Sequence, residues 1–227
     1  MAYIPANNEE AAFLKNYDSS KYQKPAVAAD TALFAVDGSL LKILLIQRGG
    51  FPYKGCWALP GGFVDIDEDI RTGAQRELAE ETGIRGIYIE QAFTWGRPDR
   101  DPRGRVITVS YIALADFSQI SPQAGDDAAA AEWFTIEDHS KTSGNGMTRI
   151  AYRLRGPELL APVVSYPTDR PQEIEAKISG GLAFDHAESI AYSFALLRHR
   201  IQHGSFLDFA LPSAQQKSRA RQVISNL

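Results

Sequence analysis

From Ala26 onward the chain adopts a strand-like pattern, with Val27, Thr31, Leu33, Phe34 and Val36 leading to Asp37-Gly38, a dipeptide that favours a tight hairpin turn. The return run Leu41-Lys42-Ile43-Leu44-Leu45-Ile46 is rich in branched apolar residues and ends at Gln47-Arg48-Gly49-Gly50, which predicts a buried central strand. Further strands are predicted at Ile87 to Trp95, at Val106 to Ala115 and at Ala130 to Ile136. In the second of these, Val106, Thr108, Ser110 and Ile112 alternate with Ile107, Val109, Tyr111 and Ala113. Two helices stand out, from about Ile70 to Thr82 and from about Phe184 to His203. Each ends near a glycine, Gly83 and Gly204.

Between Glu137 and Gly181 the turn signals Ser143-Gly144-Asn145-Gly146, Gly156-Pro157 and Tyr166-Pro167 break the pattern. This stretch reads as an insertion, about 137–181, in which Ile150 to Leu154 and Leu159 to Val164 form a second hairpin. After Phe209 come Pro212 and then Lys217, Arg219 and Arg221 among helix formers, which predicts a short terminal helix. The expected organisation is an N-terminal extension over 1–24, a main domain over 25–204 and a C-terminal tail over 205–227. A length of 227 residues suits one domain with additions.

Composition narrows the class. Hydrophobic residues make up 44% and charged residues 23%, near the average for soluble globular chains, so neither a disordered nor a fibrous class is indicated. A net charge of -4 argues against non-specific nucleic-acid binding, which depends on cationic groups displacing counterions. Cys56 is the one cysteine, so an intrachain disulfide and thiolate metal sites are excluded and a reducing cytoplasm fits. Asn7, Asn8, Glu9 and Glu10 stand where a secretory signal would be basic and then apolar. No uncharged apolar stretch of about 18 residues is present, so a cytosolic protein with no membrane partner is expected.

The chemistry concentrates between Gly61 and Ile84. At about 100° per residue, Glu77, Glu80 and Glu81 fall within roughly 100° of arc and share one side of the predicted helix. Ile70, Ala74 and Leu78 form a four-residue apolar ladder, and continuing it places Glu81 where a core residue is expected. A carboxylate facing a core costs several kcal/mol by order of magnitude unless a cation or donors compensate it. Arg76 serves one acid as a bidentate partner, but three clustered glutamates plus Glu68 exceed what one guanidinium neutralises. Hard divalent cations that prefer oxygen fill the deficit, and Mg²⁺ is the usual choice where substrate phosphates supply the remaining ligands. Gly61-Gly62 permits a close approach or a positive φ, which lets a carbonyl turn inward as a further ligand. A Glu-Glu pair on a helix is by itself usually a solvated face. What departs from that reading is the fixed spacing of glycine, glutamate, arginine, three further glutamates and a second glycine.

With those residues in view, Gly62-x5-Glu68-x7-Arg76-Glu77-Leu78-x-Glu80-Glu81-x-Gly83-Ile84 resembles a complete Nudix box of 23 residues. Trp57-Ala-Leu-Pro-Gly-Gly-Phe63 and the flanking strands are similar to the same family, so the resemblance covers roughly Pro25 to Trp133, with the helix from Phe184 completing a layer. It implies an α/β/α sandwich, the Nudix fold, with a mixed β-sheet between helices; the inserted hairpin and helical tail are additions. It further implies that Glu77, Glu80 and Glu81 bind catalytic Mg²⁺, with Mn²⁺ as a substitute and the Gly61 carbonyl as an additional ligand. Glu68 and Arg76 support and orient these groups. Relatives commonly take a further acid from a later loop, and Asp127, of the pair Asp126-Asp127, is the candidate. An Asp pair after Gly125 also reads as a turn or helix start. The implied activity is hydrolysis of a nucleoside diphosphate linked to another moiety.

Downstream, Arg97-Pro98-Asp99-Arg100-Asp101-Pro102-Arg103-Gly104-Arg105 carries four arginines in nine residues beside Phe93 and Trp95. Guanidinium forks suit phosphates and the rings suit a base, so Phe93, Trp95, Arg100, Arg103 and Arg105 form the candidate substrate set. An exposed loop of paired charges is the competing reading. Arg100-Asp-Pro-Arg-Gly104 resembles a segment of ADP-ribose pyrophosphatases and of the Nudix-related repressors of NAD biosynthesis. ADP-ribose, cleaved to AMP and ribose 5-phosphate, is therefore the first expected substrate. The same relatives supply a second reading, a transcriptional regulator that senses ADP-ribose or a related ligand, and Leu182-Ala-Phe-Asp-His186 also resembles that group. About two dozen residues follow Gly204, too few for a complete winged helix, and with the intact acid set this favours the enzyme. His139, His186, His199 and His203 are assigned no role. Tyr192, Phe194, Leu197 and Ile201 read as packing or as dimer surface, and the resemblance implies a homodimer.

Overall fold

The computed structural model describes residues 3–125 and 128–227. The N-terminal extension carries helix α1 (Asn8–Asn16), none of whose residues is buried. The first predicted hairpin is present: β1 (Ala26–Asp37) turns through Gly38-Ser39 into β2 (Leu40–Arg48), and Asp37 lies opposite Leu40. Every residue of β1 from Ala28 to Val36 is buried, so both faces of this strand are covered, as a strand at the centre of a layered sheet requires. Two short strands follow, β3 (Trp57–Ala58) against β2 and β4 (Gly61–Phe63) against β1.

The chain next forms helix α2 (Ile70–Thr82), then β5 (Ile89–Trp95) and β6 (Val106–Asp116). Strand β6 runs parallel to β1, and β5 runs antiparallel to β6 at one edge. On the other side of β2 lies β7 (Ala128–Gly144), followed by β8 (Met147–Arg155), β9 (Leu159–Leu160), β10 (Val163–Pro167) and β11 (Glu175–Ile178). The main path of the sheet is β11-β10-β8-β7-β2-β1-β6-β5. A mixed sheet was expected and is found.

The stretch 137–181, expected as an insertion, continues this same sheet. The pairing of Ile150–Leu154 with Leu159–Val164 exists, as β8 against β9 and β10. The larger hairpin joins β7 to β8 through Asn145-Gly146, both at positive φ (52° and 73°). That is the two-residue turn that matches strand twist, and Asn-Gly is its usual sequence.

Helices cover both faces. Helix α2 packs Ala74 and Leu78 on Leu33, Leu44, Val109 and Tyr111. Asp69 caps its first turn by accepting from the Arg71 N–H at 2.9 Å, and Gly83 ends it in the left-handed region at φ 72°. The expected apolar ladder is corrected at its first rung: Ile70 is exposed, because the first turn overhangs the sheet, and Gly73, Ala79 and Thr82 complete the buried side. On the opposite face lie α3 (His186–His203), α4 (Phe206–Ala210) and α5 (Ala214–Ser225). Phe194, Leu197 and Ile201 are buried against Phe34, Leu114 and Phe134, so in this helix the packing reading holds for these three residues. The terminal helix α5 opens with a Ser213–Gln216 capping box and buries Ala220, Val223 and Ile224 in the same core. Among the described residues no helix is long and apolar enough to cross a membrane.

Phe194 joins α3 to the sheet through ring contacts with Phe34 and Tyr152. Phe194→Ala is expected to cost about 3–5 kcal/mol. Urea unfolding checks this, with a lower midpoint and an unchanged slope.

Candidate active site

The turn from β4 into α2 brings the predicted residues together. Arg76, one turn before the C-terminal glutamates, is the hub. Its Nε and Nη2 donate to the two Glu68 oxygens at 3.2 and 2.6 Å. Its Nη1 donates to Glu77 at 2.8 Å and to Glu80 at 2.9 Å, and Nη2 also reaches the Phe63 carbonyl at 2.9 Å. Arg76 thus serves three acids where a single bidentate partner was expected. Glu81 lies outside this network and accepts the Gly61 N–H at 2.8 Å. A Cβ on Gly62 would stand 2.5 Å from the Glu77 carboxylate, so only glycine leaves that carboxylate its place.

Burial sets the electrostatics. It pushes the Glu81 carboxyl up to about 8, against the smaller lowering effect of the Gly61 N–H. Glu77 is raised for the same reason, partly offset by Arg76. Glu68, hydrogen-bonded to Arg76, is held below the usual range, and Arg76 itself is raised. Each acid beyond the first that Arg76 serves is undercompensated, and among the described residues Glu81 has no cationic partner within ion-pair distance. Among the described residues no three acidic or imidazole side chains already converge as a preformed cation cage. The donor set nevertheless fits a hard divalent cation: oxygen ligands only, an excess of negative charge and a half-buried acid that added positive charge would keep ionised.

These groups form one wall of a cavity of about 490 Å³. Asp30, in the middle of β1, extends the acidic wall; it is 8% exposed and burial lifts it to about 7. The same cavity also has a basic and aromatic lining. Arg48 lies over the Phe184 ring, and Arg103 lies over the rings of Phe63 and Phe184. Phe184 takes φ 48°, unusual for a bulky side chain, where the chain enters α3. Arg100, 6% exposed, donates through Nε to Asp185 at 2.7 Å and through Nη1 to Thr108 at 2.7 Å. It ties the 96–105 loop to β6 and to the start of α3.

Of the predicted residues, Gly61, Arg76, Glu77, Glu81, Arg100 and Arg103 line this cavity. Glu68 and Glu80 join it through Arg76. Phe93 and Trp95 lie elsewhere: they make tilted and edge-on ring contacts with Tyr192 and line a second depression of about 310 Å³. Arg105 is exposed, its Nη1 3.4 Å from the Arg97 carbonyl. Asp127 falls outside the described residues. Its flank is fixed by the Gly125 N–H, which donates to the Glu81 carbonyl at 3.1 Å.

Sequence reasoning missed Asp30, Arg48, Asp185 and His186. The signal for Asp30 was present, since an acid inside an otherwise apolar central strand needs a reason. His186, given no role, lines the cavity and accepts the Leu59 N–H at 2.8 Å.

Comparison with known proteins gives the family. The NUDIX domain model matches residues 24–153, and the chain belongs to that family. It is 44% identical over 136 residues to the ADPR responsive transcriptional repressor NtrR of Acinetobacter baylyi, a match that spans 59% of this chain and 54% of the repressor. It is 40% identical over 131 residues to an ADP-ribose pyrophosphatase of Methanocaldococcus jannaschii, spanning 56% of this chain and 74% of that protein. The chain thus covers about half the length of the repressor. Among solved structures, a MutT/nudix family protein from Enterococcus faecalis superposes with a TM-score of 0.73 at 29% identity, covering 96% of this chain and 81% of that one.

The raised acids predict a pH dependence. Glu81 and Asp30 keep protons in the folded state that the unfolded chain releases, so each contributes stability that fades as pH rises toward its folded value, about 8 and about 7. His186, which burial lowers from 6.5 to about 4, acts in the opposite sense, but only below pH 6.5. From pH 6.5 to about 8, cation-free protein should therefore lose thermal stability, and Glu81→Gln should flatten most of that slope. Melting curves in EDTA check this; a flat wild-type profile contradicts it.

Proposed function

We propose that this chain is a divalent-cation-dependent Nudix pyrophosphohydrolase whose first substrate is ADP-ribose, cleaved to AMP and ribose 5-phosphate. The observation that carries the reading is that one cavity is lined both by box glutamates and by guanidinium groups packed over aromatic rings. A diphosphate between two organic groups needs both, cationic help at its oxygens and ring surfaces for a base. The name of the Methanocaldococcus relative supports the substrate.

Glu77, Glu80, Glu81 and the Gly61 carbonyl would hold Mg²⁺, or Mn²⁺ in its place. A bound divalent cation supplies charge neutralisation at the phosphates and a lower pKa for the attacking water. Arg76 and Glu68 orient the acids. Arg103 and Arg48 meet phosphate or base in the same cavity, while Arg100, committed to Asp185 and Thr108, positions the loop that carries Arg103. Water adds to one phosphorus, the bridging P–O bond breaks, and the proton released passes to an acid of the site, for which Asp127 remains the loop candidate. Phe93, Trp95 and Arg105 would contact only a ligand that extends past the Arg100–Asp185 pair, or a second copy in a homodimer. A cytoplasmic location fits the single cysteine, Cys56.

A second reading is a regulator that binds the same ligand without cleaving it, favoured by the 44% identity to a transcriptional repressor. The complete glutamate set of the box, with Glu77 and Glu81 at the cavity, favours the enzyme. The test is AMP release from ADP-ribose by purified protein. Equal yields of AMP and ribose 5-phosphate are expected with Mg²⁺ and none in EDTA. Glu81→Gln should lower kcat by about a hundredfold or more with the circular dichroism spectrum retained. No turnover of ADP-ribose, NADH or dinucleoside polyphosphates, together with tight binding to a promoter fragment, would replace the enzyme with the regulator.

A further inference from the structure

We propose that the second depression, bounded by β5, the start of α3 and β11, binds an organic cation: an ammonium or guanidinium group on a short apolar stem. This site is independent of the nucleotide cavity. Of a nucleotide bound there, only a part extending past the Arg100–Asp185 pair would reach the depression, whose own chemistry calls for a different molecule.

Among the described residues, four acids line the depression, Glu173, Glu175, Asp185 and Glu188, against one cation, Arg97. Three of these acids are balanced by cations that do not line it. Glu173 accepts from Arg170 Nη1 at 2.8 Å, Glu175 pairs with Lys177, and Asp185 holds Arg100. Glu188 is the exception. It is 3% exposed, and among the described residues its Oε2 has no hydrogen-bond partner, a costly state for a buried acceptor. Arg97 Nη2 stands 3.7 Å from Glu188 Oε1, beyond hydrogen-bond reach. Arg97 is itself half-exposed and shared with Asp99 at 3.3 Å, so it covers the buried charge loosely. Burial raises the Glu188 carboxyl above the usual range, against the lowering effects of the Ala176 and Glu188 backbone N–H groups and, least, of Arg97.

A partner that completes Glu188 donates a hydrogen bond and carries positive charge. A neutral donor would satisfy the oxygen and leave the charge, and an anion would meet an acidic lining. The apolar part of the lining, Phe93, Trp95 and Ile174, favours the same guest. Trp95 Nε1 is committed to Ser110 at 3.1 Å, so the indole has only ring surface left to offer, which attracts a cation and gives an anion nothing. A volume of about 310 Å³ lies at the small end for ligand sites and suits a small molecule or a single side chain. Free alkylammonium or alkylguanidinium ions and a Lys or Arg side chain of a second copy of this chain present the same chemical group.

The test is titration of the full chain with butylguanidinium chloride, with butanol and potassium chloride as neutral and ionic controls. The readout is the Trp95 indole N–H signal, identified by its loss in Trp95→Phe. A saturable shift is expected with butylguanidinium and none with either control. Glu188→Gln, which keeps the side-chain shape, should weaken binding about tenfold or more, and Arg97→Gln should tighten it about two- to threefold by removing a competing cation. Sedimentation separates the two sources. A saturable shift with no change in assembly means a free cation, whereas a dimer that both the probe and Glu188→Gln dissociate means the side chain of a second copy; either result supports the proposal. Neither a shift nor a dissociation, an equal response to butanol, or binding undiminished in Glu188→Gln would overturn it. If Glu188→Gln does not fold, the half-exposed position decides: affinity that stays the same or falls in Arg97→Gln rejects the site.

Discussion

One guanidinium cannot balance the acids gathered around it, and the site is organised around that deficit. Arg76 spends its donors on Glu68, Glu77, Glu80 and the Phe63 carbonyl. Charge-assisted bonds of this kind fix geometry well. Glu81 is then left, half-buried, with a single backbone N–H. The same helix must bury Ala74 and Leu78 on the sheet, so α2 cannot rotate to release Glu81 into water without exposing its apolar side. Packing holds the acid where its charge is costly.

The rest of the architecture brings basic and aromatic groups into the same cavity. Strand β1 brings Asp30 into the floor, and β4, paired with β1, sets Gly61 beside it. The loop after β5 and the start of α3 meet across the Arg100–Asp185 pair, which brings Arg103 and Phe184 together in the cavity lining. Because Arg100 and Asp185 are both buried, removing either would leave the other unpaired at a cost of several kcal/mol. The cavity thus depends on contacts far apart in sequence: Leu59 with His186, Arg100 with Asp185, and Gly61 with Glu81.

Local features of the sequence announced most of the secondary structure. The Asp37-Gly38 turn, the apolar run of β2, and the Asp69 and Gly83 ends of α2 each follow from short-range chemistry. Asn145-Gly146 was equally legible, and β8 alternates buried Thr148, Ile150, Tyr152 and Leu154 with more exposed residues, yet the surrounding polar residues made the segment look like an insertion. At the site, the box residues were readable because their spacing is fixed on one helix. Asp30, Arg48, Asp185 and His186 were not, since their meaning lies in strand pairing and in the approach of α3, which no local pattern encodes. Phe93 and Trp95 show the converse: close in sequence to the arginines, they stay away from the cavity because Trp95 bonds to Ser110 and both rings pack on Tyr192 of α3, while Arg100 and Arg103 lie in the loop beyond β5.

The central claim is that the uncompensated acids of α2 exist to hold a divalent cation. Crystals grown without added metal and then soaked in Mn²⁺ test it directly through anomalous scattering. The account predicts a strong peak bounded by Glu81, Glu77 and the Gly61 carbonyl, absent from Glu81→Gln crystals. Wild-type crystals with no peak there, and with Glu81 still bonded only to the Gly61 N–H, would contradict it.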